Sequence, residues 1–327
     1  MQVGPRQPLA PGTVSLRLYP HLELPAPQLV EEFVTQAQLA ISAGFDGTMV
    51  SEHHNGFAGY LPNPVQAAGW ALEATAEGWA APCPLLLPLR PTALVAEELA
   101  WLAARFPGRV AAGVAAGSRE EDFTLMGTTK DRLTERFTIA LDELSRMLLG
   151  RHPGALAGDP AVVRCAEWPV PLVSAAMSPT AVRRAAAAGV GLVLDSLTHP
   201  GRCRELSDIY ADAGGAGPVV LVRRVWVGAA PPAIEEGHVA VYRDYASAKA
   251  MAHWQGGQLA GGDRPEDVAD RLAEQAEAAG ADSLNLRIHA PGIGASSIRD
   301  QITALAHVCA SLRTRWSGSG PAARRPR

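Results

Sequence analysis

The sequence predicts an α/β protein built as a single (β/α)8 TIM barrel with loop insertions. Strand-like and helix-like segments alternate along the chain with no break in composition, which is typical of a parallel sheet covered by helices. The length of 327 residues suits one such barrel. Glu52, His53 and His54 directly follow the apolar pair Met49 and Val50. Because catalytic groups of these barrels lie where strands end, we expect the site at this point of the chain.

The strands are predicted from apolar or alternating runs, and the helices from apolar residues at helical spacing. The expected strands cover residues 13–19, 45–50, 81–87, 110–117, 170–174, 191–195, 219–227 and 283–288. The expected helices cover residues 27–43, 91–105, 131–149, 179–188, 199–213, 265–279 and 296–312, with a further helix starting at Pro64. Residues 150–159 and 229–262 exceed the minimal repeat, and part of the second stretch is expected to form a lid.

Composition indicates a cytoplasmic protein with one domain. We expect residues 13–316 to form the barrel, residues 1–12 to be flexible, and the Gly, Ser, Pro and Arg-rich residues 317–327 to be disordered. The net charge of -4 gives no general attraction to nucleic acid or anionic membranes, and no stretch reaches a membrane-spanning length. The four cysteines lie far apart without Cys-x-x-Cys spacing, which argues against a disulfide framework or a metal site.

The Glu52-His53-His54 tripeptide is the strongest candidate for catalysis. Histidine can both accept and donate a proton near neutral pH, and a neighbouring carboxylate can fix its tautomer or raise its basicity. The alternative interpretation is that one of the two histidines is a hydrogen-bonded structural residue. An acid and two imidazoles together at the end of a strand favour a functional role.

Four motifs, in order and spacing, resemble those of the luciferase-like flavin monooxygenases. They are E-H-H-N-G-F at 52–57, L-L-P-L-R-P-T at 86–92, G-R-V-A-A-G-V-A-A-G-S-R-E-E-D-F at 108–123 and G-A-D-S-L-N-L-R-I-H-A-P-G at 280–292. The family is a TIM barrel that binds FMN or, in other branches, the deazaflavin F420. In its oxygen-using branch, reduced FMN comes from a separate flavin reductase and forms a C4a-hydroperoxide with O2. The resemblance also implies a homodimer formed through the second and third helices.

The resemblance assigns roles to residues of this chain. His53 would be the acid/base group, supported by Glu52 and His54. The flavin ring would pack against a cis peptide bond between Cys83 and Pro84. Further flavin contacts would come from Ala115, Ser118, Met177 and Ser178, although Ser178 also fits an ordinary helix cap.

Four positions depart from the family pattern, and two of them, Ala175 and Ala176, replace a polar pair in the fifth-strand turn. Ala116 occupies the place of the usual phosphate-binding arginine, and Ala115 the place of a reactive cysteine. Losing a charge-assisted phosphate partner costs about 1.5 to 3 kcal/mol. Three alternatives follow: weak FMN binding, phosphate binding through other groups such as Ser118 or Arg119, or a degenerate flavin site.

The substrate pocket is predicted from polar and aromatic residues at strand ends. They are Tyr19, His21, Trp226 and His289, with Asp195 and Arg287 as further candidates. The resulting hypothesis is an FMNH2-dependent monooxygenase that inserts oxygen beside a carbonyl or hydroxylates a small organic substrate. One alternative is an F420-dependent hydride-transfer oxidoreductase of the same fold. The other is a non-catalytic flavin-binding or partner subunit.

Overall fold

A ring of parallel strands forms the centre of the computed structural model, which describes residues 6–243, 251–252, 254 and 258–318. The described strands are β1 (Val14–Leu18), β2 (Gly47–Val50), β3 (Trp79–Pro82), β4 (Leu85–Leu86), β5 (Ala112–Ala115), β6 (Leu172–Ala175), β7 (Gly191–Leu194), β8 (Val219–Val227), β9 (Ala260–Gly262) and β10 (Ser283–Arg287). Their order in the sheet is β3-β2-β1-β10-β8-β7-β6-β5-β4, with β9 added beside β8. The predicted barrel is therefore confirmed.

The third barrel strand is split into two pieces, and this split closes the ring. β3 pairs with β2, whereas β4 pairs with β5. A parallel bridge from Ala80 to Val110, with Ala80 N donating to Arg109 O at 3.0 Å, joins β3 to the chain entering β5. The peptide bond between Cys83 and Pro84, in the gap between the pieces, is cis, as the resemblance implied. The sequence predicted one strand here over residues 81–87.

The helices cover the outside of the ring. They are α1 (Ala26–Ser42), α2 (Pro64–Ala74), α3 (Thr92–Arg105), α4 (Glu120–Leu125), α5 (Leu133–Leu148), α6 (Pro160–Arg164), α7 (Pro179–Ala188), α8 (Pro200–Asp212), α9 (His238–Arg243), α10 (Pro265–Ala279) and α11 (Ala295–Gly318). Local sequence explains several starts, because proline suits the first helical turn and a preceding polar side chain caps it. Asn63 accepts from Gln66 N ahead of α2, and Ser178 accepts from Ala181 N ahead of α7.

Apolar side chains fill the barrel interior below the site. Met49, Cys83, Val173 and Val220 belong to one buried cluster inside the ring, and a larger cluster lies between the strands and the helices. Leu9 joins the interior cluster and is fully buried. It lies in the segment expected to be flexible. Residues 1–5 of that segment, and residues 319–327 of the expected disordered tail, fall outside the described residues.

The segment between β8 and α10 adds structure beyond the barrel repeat. A π-helix (Ala233–Gly237), α9 and β9 lie within it, and β9 extends the sheet beside β8. Residues 244–250, 253 and 255–257 of the expected lid fall outside the described residues. Within the described ranges, no helix is both long enough and apolar enough to cross a membrane.

Candidate active site

The loop after β2 is folded so that its three polar residues are fixed in place. Glu52 N donates to Pro84 O at 3.0 Å, and His53 N donates to Leu61 O at 3.4 Å. The chain turns back through Asn55 and Gly56, which both have positive φ angles of 55° and 67°. Asn and Gly tolerate this left-handed region better than other residues do, so the sequence E-H-H-N-G favours a sharp return of the chain.

His53 is paired with a carboxylate that the sequence analysis did not select. Asp122 Oδ2, from the first turn of α4, lies 2.6 Å from His53 Nδ1. The other oxygen, Oδ1, accepts from His54 N at 3.1 Å. Burial would raise the pKa of Asp122, but the hydrogen bond and charge of His53, the His54 amide and Arg119 together lower it. Asp122 is therefore an ionised acceptor that orients the His53 ring.

Glu52 pairs with His54 rather than with His53. Glu52 Oε1 lies 3.0 Å from His54 Nε2, and Oε2 accepts from Leu86 N at 2.7 Å. Arg90 Nη2 donates to Oε1 at 3.4 Å. Because Glu52 is buried and joins the β2 loop to β4, it organises the rim of the barrel. The expected support of His53 by Glu52 is thus replaced by support from Asp122.

Arg17 holds the polar centre of the barrel mouth. Its Nε donates to Asn285 Oδ1 at 2.7 Å, and its Nη1 donates to Cys83 O at 2.7 Å and to Ser51 Oγ. Ser51 Oγ also donates to Cys83 O at 3.0 Å. The carbonyl oxygen of the cis peptide group therefore accepts from two donors. Burial raises the pKa of the Cys83 thiol, so this sulfur stays protonated.

Aromatic and basic side chains gather on the other side of His53. The Tyr60 ring lies edge-on to His53, with ring centroids 4.6 Å apart, and edge-on to Tyr19 at 5.2 Å. His289 stacks on Tyr19 at 5.0 Å, and the Arg287 guanidinium carbon lies 4.4 Å from the Tyr19 ring centroid. Tyr242 of α9 receives a hydrogen bond from Arg287 Nη1 at 2.9 Å and bonds to the Tyr60 hydroxyl.

Three of the four predicted substrate residues meet in this group. His21 lies edge-on to His289 at 5.3 Å and is held by Gln36 and Glu23. Trp226 instead packs in the outer core, and among the described residues it makes no ring contact with the group. Asp195, the further candidate, caps its own loop by accepting from Leu197 N and Thr198 N.

Several of the residues expected to hold the flavin lie at the ends of β5 and β6. Ala115, Ala116 and Ala175 are half-buried and contribute only methyl groups to this rim. Met177 Sδ accepts from Asp195 N at 3.5 Å, which fixes the thioether beside the rim. The positions expected to contact the flavin ring therefore present small apolar side chains.

Three side chains lie near the place where the phosphate end of the flavin is expected. Ser178 Oγ caps α7, and its hydroxyl hydrogen can still be donated to an anion. Lys130 Nζ donates to Ser118 O at 2.8 Å, which brings a cation to the loop after β5. Arg119 lies over the Phe57 ring at 3.7 Å and 3.8 Å from Asp122. Its side chain is therefore part of the His53 surroundings rather than an isolated loop charge.

Sequence reasoning missed Asp122, Tyr60, Tyr242 and Lys130. Asp122 follows His53 by 69 positions, so no local spacing connects them. The sequence does carry an indication, since Glu120, Glu121 and Asp122 form an acidic first turn directly after a predicted strand end. Within the described residues, no group of three or more histidines, cysteines and acids is placed to hold a metal ion.

Comparison with known proteins assigns the chain to a family. The family model described as luciferase-like monooxygenase matches residues 15–311. The alkanal monooxygenase alpha chain of a Kryptophanaron alfredi symbiont is 26% identical over 137 residues. That match covers 42% of this chain and 38% of the relative, so the chain matches well under half of the relative's length.

Solved structures show the same fold at low sequence identity. The FMN complex of the oxygenating constituent of 3,6-diketocamphane monooxygenase from Pseudomonas putida, a type II Baeyer-Villiger monooxygenase, has a TM-score of 0.72 and 16% identity. The structural match covers 93% of this chain and 98% of the Pseudomonas putida chain. An F420-dependent secondary alcohol dehydrogenase, bound to an F420-acetone adduct, has a TM-score of 0.68 and 17% identity. That match covers 92% of this chain and 98% of the dehydrogenase chain.

Proposed function

Since this chain belongs to the luciferase-like monooxygenase family, we propose that it is an FMNH2-dependent monooxygenase that oxygenates a small organic substrate. The observation that carries the proposal is the buried pair of His53 and Asp122 beside a rim of small apolar residues. Reduced FMN, when bound, supplies the electrons that activate O2. The residues of the chain then have to exclude water, position the substrate and move protons.

His53 moves the proton. Because the ionised Asp122 carboxylate can only accept, the hydrogen between the two side chains belongs to His53 Nδ1. The proton-accepting atom of the neutral ring is then Nε2. Oxygen insertion beside a carbonyl needs His53 as a proton acceptor, whereas hydroxylation needs its protonated form as a hydrogen-bond donor. Asp122 stabilises the protonated ring in both cases.

The cofactor would be held by groups from three loops. The ring would lie against Cys83, Pro84, Ala115 and Met177. This chain has Ala116 where the family has a phosphate-binding arginine. Ser178 at the start of α7 and Lys130 beside Ser118 would bind the phosphate instead. We further propose that a separate cytoplasmic flavin reductase supplies the reduced FMN.

Flavin binding and oxygen reactivity test this function. The purified chain is titrated with FMN and with F420 by fluorescence, and its complex with photoreduced FMN is mixed with oxygenated buffer in a stopped-flow instrument. We expect the chain to bind FMN. After mixing with oxygen, we expect a transient absorbance that differs from both the reduced and the oxidised flavin spectrum and decays to the oxidised one. Binding of F420 without FMN would instead support hydride transfer, and binding of neither would support a partner subunit.

Variants of the proton pair give the second part of the test. His53→Ala and Asp122→Asn should slow the pH-dependent step of flavin reoxidation by about 100-fold or more, because each removes the oriented proton acceptor. The far-UV circular dichroism and the FMN affinity should stay unchanged. His307→Ala and Asp300→Asn, at exposed positions of α11, are the matched controls. Retained reoxidation kinetics in both test variants would remove His53 from the mechanism.

A further inference from the structure

Among the described residues, Arg287 is a buried cation with no acid at salt-bridge distance. It is the last residue of β10 and is 4% exposed. Among the residues that the structure describes, no carboxylate lies within 4.0 Å of its guanidinium group. Elsewhere at the rim, Arg90 and Arg119 both reach acids. Since a buried cation without a counter-charge is costly, an incoming anion at Arg287 would be favourable.

The side chains around Arg287 form a cage of neutral polar groups, consisting of Tyr19, Tyr60, Tyr242 and His289. Burial, with the neighbouring Tyr19, raises the pKa of Tyr60 to about 12, so this phenol does not supply the missing negative charge. His289 is 8% exposed, and its Nδ1 is buried with no hydrogen-bond partner in the described part of the chain. Within the part of the chain that the structure describes, the cage therefore contains an imidazole nitrogen without a partner and a cation without a counter-charge.

The guanidinium group has donors to spare. Its Nε donates to His289 O at 3.3 Å and its Nη1 to the Tyr242 hydroxyl at 2.9 Å. Two of its five N–H hydrogens are used in this way, which leaves one on Nη1 and both on Nη2. No described residue accepts a hydrogen bond from Nη2. One hydrogen from each of Nη1 and Nη2 is the arrangement that binds the two oxygens of a carboxylate.

The cage lies next to the proton pair of the proposed active site. Tyr60 separates the two, because its ring contacts both His53 and Tyr19 and its hydroxyl bonds to Tyr242. Resting on the monooxygenase function proposed above, we propose that the Arg287 cage binds a carboxylate group of the organic substrate. The substrate class is then a small organic acid, anchored at Arg287 with its oxidisable carbon directed past Tyr60 toward His53.

Calorimetric titration of the cofactor-free full chain tests the cage without involving flavin. The probes are cyclohexanecarboxylate and cyclohexanecarboxamide, which have nearly the same size and differ in charge. We expect the carboxylate to bind at least about tenfold more tightly, because a charge-assisted hydrogen bond accounts for that difference. Equal binding of the carboxamide, or no heat from either probe at millimolar concentration, would overturn the assignment.

Substitutions locate the binding. Arg287→Met should weaken carboxylate binding by about tenfold to a hundredfold, and Tyr242→Phe by a smaller factor. The control is Arg146→Met, which changes an exposed α5 arginine paired with Asp142. This variant should bind the carboxylate as tightly as the unmodified chain does. If Arg287→Met does not fold, Arg287→Lys is used, because lysine keeps the charge but lacks the paired N–H donors of arginine. It should weaken binding of the carboxylate and leave binding of the carboxamide unchanged. Unchanged carboxylate binding in a folded Arg287 variant would place the anion elsewhere.

Two further outcomes separate this inference from the proposed function. Carboxylate binding that depends on Arg287 in a chain that binds neither FMN nor F420 would uphold the cage and remove the monooxygenase. FMN binding and oxygen reactivity without any carboxylate binding would support the monooxygenase function and exclude the carboxylate site at Arg287. Inorganic phosphate is the remaining probe. If it binds at Arg287 as tightly as the carboxylate does, the cage is a general anion site and the assignment of an organic acid is wrong.

Discussion

At the scale of single residues, His289 shows how burial can determine the charge of a side chain. Burial, the charge of Arg287 and the nearby His21 lower its pKa from 6.5 to about 3. The folded protein therefore keeps His289 neutral at any pH at which the fold is ordinarily studied. A neutral imidazole can stack on Tyr19 beside the Arg287 cation without adding a second positive charge to the cage.

The lowered pKa of His289 predicts a loss of stability in acid. Between pH 6.5 and about 3, the unfolded chain binds a proton at His289 that the folded chain excludes, so the free energy of unfolding falls as the pH falls. His289→Gln should reduce this fall, as measured by urea unfolding near pH 7 and near pH 5. His307→Gln, at an exposed position of α11, is the control. An identical acid dependence in the His289 variant and the unmodified chain would contradict the prediction.

Residue-scale reasoning from the sequence located His53 but assigned it a different acid. Glu52 is its sequence neighbour, yet the tight turn after β2 directs Glu52 toward His54 and the Leu86 amide. Asp122 reaches His53 because α4 begins directly after β5 and Phe123 packs in a small core with Leu86 and Leu89. That contact depends on tertiary packing, which a spacing pattern does not contain.

At the scale of elements, the barrel strands were predictable because their apolar runs are short and regularly interrupted. The break in the third strand was less so. Pro82 and Pro84 indicated that two backbone N–H donors are missing from this strand. The strand pairing in the folded chain shows the break itself, because β3 pairs with β2 and β4 pairs with β5. The short helices α4 and α6 were also not predicted, since five or six residues carry too little periodicity to be recognised.

The packing of β5 against the third strand gives a prediction at the same scale. A Cβ atom at Gly113 would lie 2.2 Å from Cys83 Sγ and 3.1 Å from Val173 Cγ2. Gly113→Ala should therefore lower the free energy of unfolding by about 1 to 3 kcal/mol, measured by denaturant titration. Combining it with Cys83→Ala should destabilise less than the sum of the single changes, because the sulfur is removed.

Gly69 provides the matched control for Gly113. It lies within α2, where an added Cβ would meet Leu102 Cδ1 at an ordinary 3.6 Å. Gly69→Ala should raise the free energy of unfolding by about 0.5 to 1 kcal/mol, since alanine restricts the unfolded chain and favours the helix. Equal effects of the two substitutions would show that the contact with Cys83 is not the cause.

At the scale of the whole molecule, the proposed homodimer would use α2 and α3. The groove between these helices is lined by Gln66, Trp101, Leu102 and Arg105 among others, and its volume is about 470 Å³. Trp101 is 53% exposed and Leu94, on the same helix, is 45% exposed. Large apolar side chains exposed together are typical of a protein interface.

Sedimentation velocity tests this arrangement. The unmodified chain should sediment as a dimer at micromolar concentration, and Trp101→Glu should shift it toward the monomer because the substitution buries an unpaired charge at the interface. Trp168→Glu is the control, since Trp168 is 57% exposed and lies between α6 and β6. A monomer at all concentrations, or equal effects of the two substitutions, would count against the α2 and α3 interface.

The hydrogen-bonded centre around Arg17 limits how this scaffold can change. Its guanidinium group has fixed acceptors on Asn285, Ser51 and the Cys83 carbonyl, which come from three different parts of the ring. Replacing any one of them would leave a buried donor or acceptor unpaired. Substitutions that suit this scaffold to other molecules are therefore expected outside this centre rather than within it.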